Sequence, residues 1–457
     1  MTDPHHETID RLFAIAARQF EQGRIEDSRA QLDALLELQP DRPDALLLLA
    51  QVHRAFGNDY AETACLLRLA SVMPLTSDLV IRLGTLQLDL HQHSRAVETL
   101  QLAVEADPDD VELRGHYAHI LRVTRDRKAA LEQLDRVLAA RPDDASAQFE
   151  ESLIHLAAGR LLQGWQHFER RHDIDADYEA PAGIPIWRGD SFSGKRLVVT
   201  TEGGYGDNVW AARFLRQARR RGGTISLQVR PPLKDLLSQV EGVDEFIDVD
   251  ANLDSYDLYC PILSLPACLK VHDATKYPPA RLTCRSPEDG RFQQVLARAG
   301  DRFRVGIIWS GSATYANNHH RAAPLEEFLP LLTIPNTQFY SLQKGLARES
   351  LRQQGLGGLI IETDDGDFAE TAALVSSLDL IIMTDTAVAH VAGSLGVPVW
   401  NLVDYSPYWY FDADGDCPWY PGMRLFRQET PGDWRGVFER VRRELTQRVE
   451  RHSCNAP

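Results

Sequence analysis

The stretch Leu380-Ile381-Ile382-Met383-Thr384-Asp385-Thr386-Ala387-Val388-Ala389-His390-Val391-Ala392-Gly393 decides how the second half of the chain folds. Its first five residues are a short apolar run ending in polar residues, which reads as a buried strand. The residues after Thr386 are mostly small, so a helix opens there with Thr386 as its cap. A strand that turns within two residues into a helix is the unit of a parallel α/β sheet, and such sheets bind ligands beyond their strands' carboxyl ends. With Thr386 as cap, the free amides of Ala387 and Val388 point outward at the positive end of the helix dipole, which suits an anion. His390 lies one turn after Thr386 and shares its face. The other reading of His390 is a satisfied core histidine.

The same pattern extends in both directions. Short apolar runs occur at Leu197–Thr200, Thr224–Val229, Glu245–Val249 and Leu258–Tyr259. A second set comprises Arg304–Trp309, Gln338–Leu342, Leu359–Glu362, Leu380–Thr384 and Val397–Leu402. Helical stretches such as Val209–Arg221 and Leu325–Leu332 lie between them, and Trp434–His452 reads as a charged amphipathic helix. Alternation of this kind predicts two doubly wound parallel lobes, about 195–300 and 301–457.

Three other strand ends carry candidate chemistry. Glu202-Gly203-Gly204-Tyr205-Gly206-Asp207-Asn208 follows the first strand, and Gly204 and Gly206 let the backbone approach a ligand closely. Asp207 is either an N-cap or a carboxylate placed to take a proton from an attacking hydroxyl. Trp309-Ser310-Gly311-Ser312 offers hydroxyls for phosphate oxygens, and Arg321 offers a planar fork. Ser341-Leu342-Gln343-Lys344-Gly345 brings one more charge. The aromatic residues Tyr405, Tyr408, Trp409, Tyr410, Phe411, Trp419 and Tyr420 read as a stacking surface for a sugar or base, or as core packing. Asp248-Val249-Asp250 has no matching partner, and Asp412–Asp416 has its glycine too early for a calcium loop.

The first third is periodic. Pro40, Pro74, Pro108 and Pro142 recur every 34 residues. In the same register run the small residues Ala16, Ala50, Gly84, Ala118 and Ser152, and the column Leu32, Leu66, Leu100, Leu134 and Phe168. Gly23, Gly57 and Gly159 fall in phase at the turns. This period and these columns resemble the tetratricopeptide repeat over roughly residues 8–175. Stacked helix pairs then form an α-solenoid over 1–175 with a concave groove that docks a protein segment, or serves as an extension or dimer surface. An acidic, turn-forming linker covers 176–194.

Composition limits the partners. The chain has 457 residues and a formal charge of −17, which excludes nucleic acid as the main partner. The six cysteines are scattered without a CxxC pair, as in a reducing compartment. The opening lacks a basic start and apolar core, and no apolar run reaches the roughly 18 residues a spanning helix needs. A cytoplasmic location without an integral membrane segment is the expectation.

Taken in order, Thr201–Asp207, Gly306–Ser312, Ser341–Gly345, Asp385–Gly393, Trp419-Tyr420-Pro421 and Arg424–Gln428 resemble the bacterial tetratricopeptide-repeat glycosyltransferases. The catalytic half of those enzymes is similar to glycosyltransferase family 9, the heptosyltransferases. The resemblance implies a solenoid followed by a GT-B pair of Rossmann-like lobes, acceptor side first and donor side second. It implies a metal-independent transfer of sugar from a nucleotide-sugar donor, with no cofactor, to an acceptor hydroxyl, here a protein docked by the groove. Asp207 becomes the base. Thr386, Ala387 and His390 hold the diphosphate with Asp385 close by, joined by Ser310, Ser312 and Arg321, and Gln343 and Lys344 complete the donor side. Ala387 stands where the family motif has glycine, Tyr205 where leucine is usual, and Asn208 follows the aspartate. The alternatives are a non-catalytic scaffold with a degenerate transferase half, or a transferase acting on a lipid-linked glycan.

Overall fold

The computed structural model describes residues 4–286, 290–315, 317–363 and 366–455. The chain forms two compact units, Met1–Ala147 and Gln148–Pro457.

The first unit is a series of antiparallel helix pairs running from Pro4–Glu21 and Ile25–Leu38 to Val111–Val123 and Arg127–Ala140. The two sequence columns face each other inside it. Leu32, Leu66 and Leu100 are fully buried, and a Cβ added to Gly84 would stand 2.2 Å from Leu100 Cδ2. The small residue is therefore required where two helices close on one leucine. The turns also keep the period. Gly23 and Gly57 have φ of +73° and +65°, and the in-phase His91 and Arg125 adopt +59° and +68° without being glycine.

The second unit starts with the helices Ala145–Ala157 and Leu161–Phe168, which continue the repeat pattern yet belong with the α/β region. Then come β1 (Arg196–Thr200), β2 (Thr224–Gln228), β3 (Glu245–Ile247) and β4 (Leu258–Pro261), a parallel sheet ordered β3-β2-β1-β4. The second sheet holds β5 (Phe303–Ile308), β6 (Thr337–Ser341), β7 (Ile360–Glu362), β8 (Leu380–Thr384), β9 (Val399–Val403) and β10 (Met423–Arg427). It is parallel and ordered β10-β9-β8-β5-β6-β7. Both faces of this sheet are packed, so its strands read as continuous apolar runs. The expected helix at Leu325–Leu332 is a 3-10 segment, Leu325–Thr333, because Pro330 inside it cannot donate an α-helical hydrogen bond. The helix expected from Val209 starts at Tyr205, and β10 is a strand that the sequence pattern had not marked.

Strand order locates the binding positions. In the first sheet the chain runs β1 to β3 on one side and returns with β4 on the other side of β1. In the second it runs β5 to β7 and returns with β8 beside β5. Each reversal opens a crevice at the strand carboxyl ends. The 201–208 loop leaves β1 at the first reversal; the 309–312 and 385–387 loops leave β5 and β8 at the second.

Trp165 and Phe168 of the last repeat-like helix enter the core of this unit. Their rings lie 5.5 and 6.4 Å from Trp409, which itself packs edge-on against Trp210 at 5.4 Å and Trp419 at 5.9 Å. The Trp165 indole donates to the Val271 carbonyl at 2.9 Å. The aromatic residues at 409–411 and 419–420 are thus core packing, while Tyr408 keeps 39% exposure.

Candidate active site at the facing switch points

The first loop is braced from within. Gly204 is the N-cap of the helix Tyr205–Ala211, and Asp207 is its third residue. The Asp207 carboxylate reaches back to accept from the Gly204 amide at 2.7 Å, so Asp207 caps from inside the first turn and is not itself the N-cap. Its other oxygen accepts from the Tyr410 hydroxyl at 3.0 Å. Burial lifts the Asp207 carboxyl above the ordinary aspartate range, against the lowering pull of the Gly204 amide and Tyr410. Asn208 holds the loop's shape. Its amide donates to the Glu202 and Gly204 carbonyls at 2.8 and 2.7 Å, and its oxygen accepts from the Thr201 hydroxyl at 2.8 Å.

Gly206 meets the second lobe. A Cβ there would lie 2.6 Å from His390 Cδ2, 3.2 Å from its Nε2 and 3.2 Å from the Ala387 Cα. The two loops, far apart in sequence, are therefore packed face to face, with the side-chain-free position of the first against the head of the helix Ala387–Ser394. Thr386 occupies the N-cap position but makes no capping hydrogen bond, and its hydroxyl oxygen is buried without a partner among the described residues. The helix head thus lacks the side-chain cap expected for it.

His390 is 4% exposed and shares a 2.9 Å hydrogen bond between Nδ1 and the Tyr420 hydroxyl. Burial, with the Arg213 charge adding to it, pushes His390 down to about 3, so the ring is neutral at physiological pH. Burial lifts Asp385 to about 6; Arg321 opposes this and Asp207 adds to it. Asp404, at the end of the adjacent β9, is raised to about 6 by burial and then by Asp385. Nothing in its sequence surroundings singles it out. Its place one strand over from Asp385 is the only available signal, and that needs the strand order.

The remaining candidates divide. Arg321 lies against Gly311, where a Cβ would be 2.5 Å from Nη2, and stacks over Tyr315 at 4.3 Å. Asn318 ties that loop together by accepting from the Gly311 amide at 3.0 Å and donating to Ser310 Oγ at 3.0 Å. Ser310 and Arg321 are thus brought to the Asp385 side of the site. Ser312 points into its own turn, sharing a 2.8 Å hydrogen bond with Thr314. Gln343 braces the neighbouring loop through its amide. Its oxygen accepts from the Trp309 and Ser310 amides, both at 3.0 Å, and its nitrogen donates to the Ser310 and Lys344 carbonyls, both at 2.9 Å. Lys344 donates to the Gly366 carbonyl at 2.5 Å and lies 6.0 Å from the Phe368 ring centre, at the β6 edge of the crevice.

Sequence reasoning misses one further connection. Arg171, just past the last repeat-like helix, grips Glu202 with two hydrogen bonds, of 2.6 and 3.0 Å, and also donates to Ser264 at 2.8 Å. His172 adds a contact to Glu202 at 3.2 Å and stacks on Tyr178 at 4.0 Å. Against a burial effect that would raise it, hydrogen bonds from His172 and Arg171 hold the Glu202 carboxyl at about 2.

Residues 13–62 and 78–150 each match a tetratricopeptide-repeat family. Across a longer stretch the chain is 26% identical over 420 residues to protein FlbA of Caulobacter vibrioides, an alignment covering 77% of this chain and 70% of that protein. Among solved structures, YrrB, described as a TPR protein with an unusual peptide-binding site, aligns with 20% identity and a TM-score of 0.33, covering 39% of this chain and 95% of that one. MamA from Desulfovibrio magneticus RS-1 aligns with 13% identity and a TM-score of 0.33, covering 38% of this chain and 97% of that one. The chain therefore carries tetratricopeptide repeats followed by an α/β region with parallel sheets. Among the described residues no helix is long and apolar enough to cross a membrane.

Proposed function

We propose that the chain is a GT-B-type, metal-independent glycosyltransferase that moves a sugar from a nucleotide-sugar donor to a hydroxyl of a protein held by the repeat groove. In this reading 195–300 is the acceptor lobe and 301–457 the donor lobe. The observation that carries it is the apposition of the loops at the two sheet reversals, Gly206 against Ala387 and His390. It leaves Asp207 on one side and an uncapped helix head with Asp385, Ser310 and Arg321 on the other. The diphosphate rests at that head, whose amides and dipole stabilise charge developing on the leaving group. Neutral His390 serves as a hydrogen-bonding group there and not as an acid. Asp207, lifted by burial, takes the acceptor proton. Concave repeat surfaces commonly hold extended protein segments, which supports a protein acceptor.

The test joins activity and binding. Asp207→Asn is expected to lower turnover by about 100-fold while nucleoside diphosphate affinity, read by calorimetry, stays within a few-fold. His390→Ala is expected to weaken that affinity. Wild-type turnover in Asp207→Asn would remove the base, and unchanged affinity in His390→Ala would move the donor elsewhere.

One observation favours a second reading. Gly206 packs on the helix head at van der Waals distance, as in a permanently closed interface. In that reading the chain is a protein-binding scaffold whose α/β half is a degenerate transferase. Binding of nucleoside diphosphates without donor turnover in an extract would select it.

A further inference from the structure

Two guanidinium groups approach the facing loops from opposite lobes. Arg321 belongs to the second lobe. Its guanidinium carbon lies 4.3 Å from the centre of the Tyr315 ring, it reaches the Gly311 backbone position, and it has one long hydrogen bond, 3.3 Å from Nε to the Asn318 oxygen. Arg230 belongs to the first lobe, two residues past β2, whose neighbour β1 carries the Gly204–Asp207 loop. It is half-buried, with its guanidinium 5.7 Å from the centre of the Tyr205 ring. Tyr205 is the residue before Gly206 and retains 37% exposure. Neither arginine has an ion-pair partner among the described residues. A planar fork with five donors, held against a ring and partly removed from water, is poorly satisfied without an acceptor.

Contacts at the loop junction place both of them. Arg230 lies over the Tyr205 ring at 5.7 Å, and Gly206, the next residue, packs against Ala387. Asp385 is two residues before Ala387, and the Arg321 charge is felt at its carboxyl. On the other side the Arg230 charge is felt at Asp207. Each lobe thus carries one arginine whose charge reaches a carboxyl at the junction.

We propose that Arg230 and Arg321 form a two-sided clamp for a ligand carrying two linked phosphate centres, with one fork contributed by each lobe. This rests on the donor-binding reading above and deepens it. The diphosphate would be gripped by the acceptor lobe as well as the donor lobe, so that binding ties the lobes together. Arg230 is a binding residue with no assigned role in the proton transfer. Two forks on separate elements match two anionic centres better than one. The clamp therefore separates pyrophosphate from orthophosphate, and from singly charged carboxylates on an acceptor.

The experiment is calorimetry on the full chain with sodium pyrophosphate, orthophosphate and acetate, without added metal. Wild type is expected to bind pyrophosphate at least tenfold more tightly than orthophosphate, with no heat from acetate. Arg230→Ala and Arg321→Ala should each weaken pyrophosphate at least tenfold and bring it towards the orthophosphate value. Arg230→Gln, which keeps the stem over Tyr205, should lose as much as Arg230→Ala. Wild-type affinity in both Arg230 variants overturns the clamp, as does equal affinity for the two phosphates. The donor reading fails separately. If a nucleoside diphosphate binds wild type and the Arg230 variants alike, the clamp falls and the donor site stands. If neither pyrophosphate nor any nucleoside diphosphate binds wild type, both fall.

Discussion

Asp207 braces its own loop and, in the proposed reaction, takes the acceptor proton. Its two oxygens are held by the Gly204 amide and the Tyr410 hydroxyl, so its orientation is fixed from both lobes. Tyr410→Phe removes one donor from the ionised form, and the Asp207 pKa should rise further. In a pH–rate profile the acidic limb would move to higher pH while KM for the donor changes little; an unshifted limb would mean that Tyr410 only packs. Asp385 gives a second residue-scale test. Its folded-state value of about 6 lies above the ordinary 3.8, so the folded chain binds the extra proton between those values. Stability therefore falls as pH rises through that window and stays lower above it. Asp385→Asn should flatten this slope in chemical denaturation and stabilise the second unit at neutral pH, by roughly 3 kcal/mol. Sequence reading could name Asp207, Asp385, Thr386 and His390 as candidates because each lies within one loop or helical turn of the end of an apolar run. It could not foresee that the Gln343 amide is engaged by the neighbouring loop, since a glutamine at a strand end looks the same whether its amide faces a ligand or a loop. It named Tyr410 only as one of an aromatic cluster and did not single out Asp404 or Arg230, whose relevance comes from strand order and from the opposite lobe. The aspartate-following Asn208, a departure from the family pattern, is the strut of its own loop.

At the scale of elements, glycines separate by cause. A Cβ at Gly57 would meet nothing within 4 Å, yet its φ is +65°. Gly57→Ala should thus cost about 1 kcal/mol through backbone strain alone. Gly206 has no such φ, and its constraint is His390, whose Cδ2 would lie 2.6 Å from an added Cβ. Gly206→Ala should cost roughly 1–3 kcal/mol by overpacking and should also weaken nucleoside diphosphate binding, because it wedges the two loops apart. Equal thermal stability of Gly206→Ala and wild type would show that the junction can open to admit a methyl group without loss. The repeat helices were readable because their period is long, regular and marked by proline. Their turns were only partly so, since His91 and Arg125 take the left-handed conformation without the residue that advertises it. The 3-10 segment at Leu325–Thr333 kept a helical apolar pattern, and only Pro330 betrays its tighter winding. β10 was hidden because Met423–Arg427 alternates with charged residues at an edge of the sheet.

For the whole molecule, the sequence indicated a solenoid followed by α/β lobes, with the repeats running to about residue 175. The compact units part earlier, at Ala147 and Gln148. Periodicity reports what a helix looks like, whereas unit membership depends on what it packs against. Trp165 and Phe168 keep the repeat register but bury their rings beside Trp409. A fragment spanning 148–457 should therefore fold and, on the proposed function, bind nucleoside diphosphates, whereas one spanning 176–457 should aggregate or unfold at lower temperature in a thermal melt. Equal melting of the two fragments would contradict this. The Arg171 grip on Glu202 has a consequence for how such chains can be recombined. An upstream array from another protein can be grafted ahead of residue 148 without touching the glycine loop. A graft made at the apparent end of the array would sever the brace of that loop, so exchange of recognition modules is tolerated only if the last helical hairpin travels with the sheets.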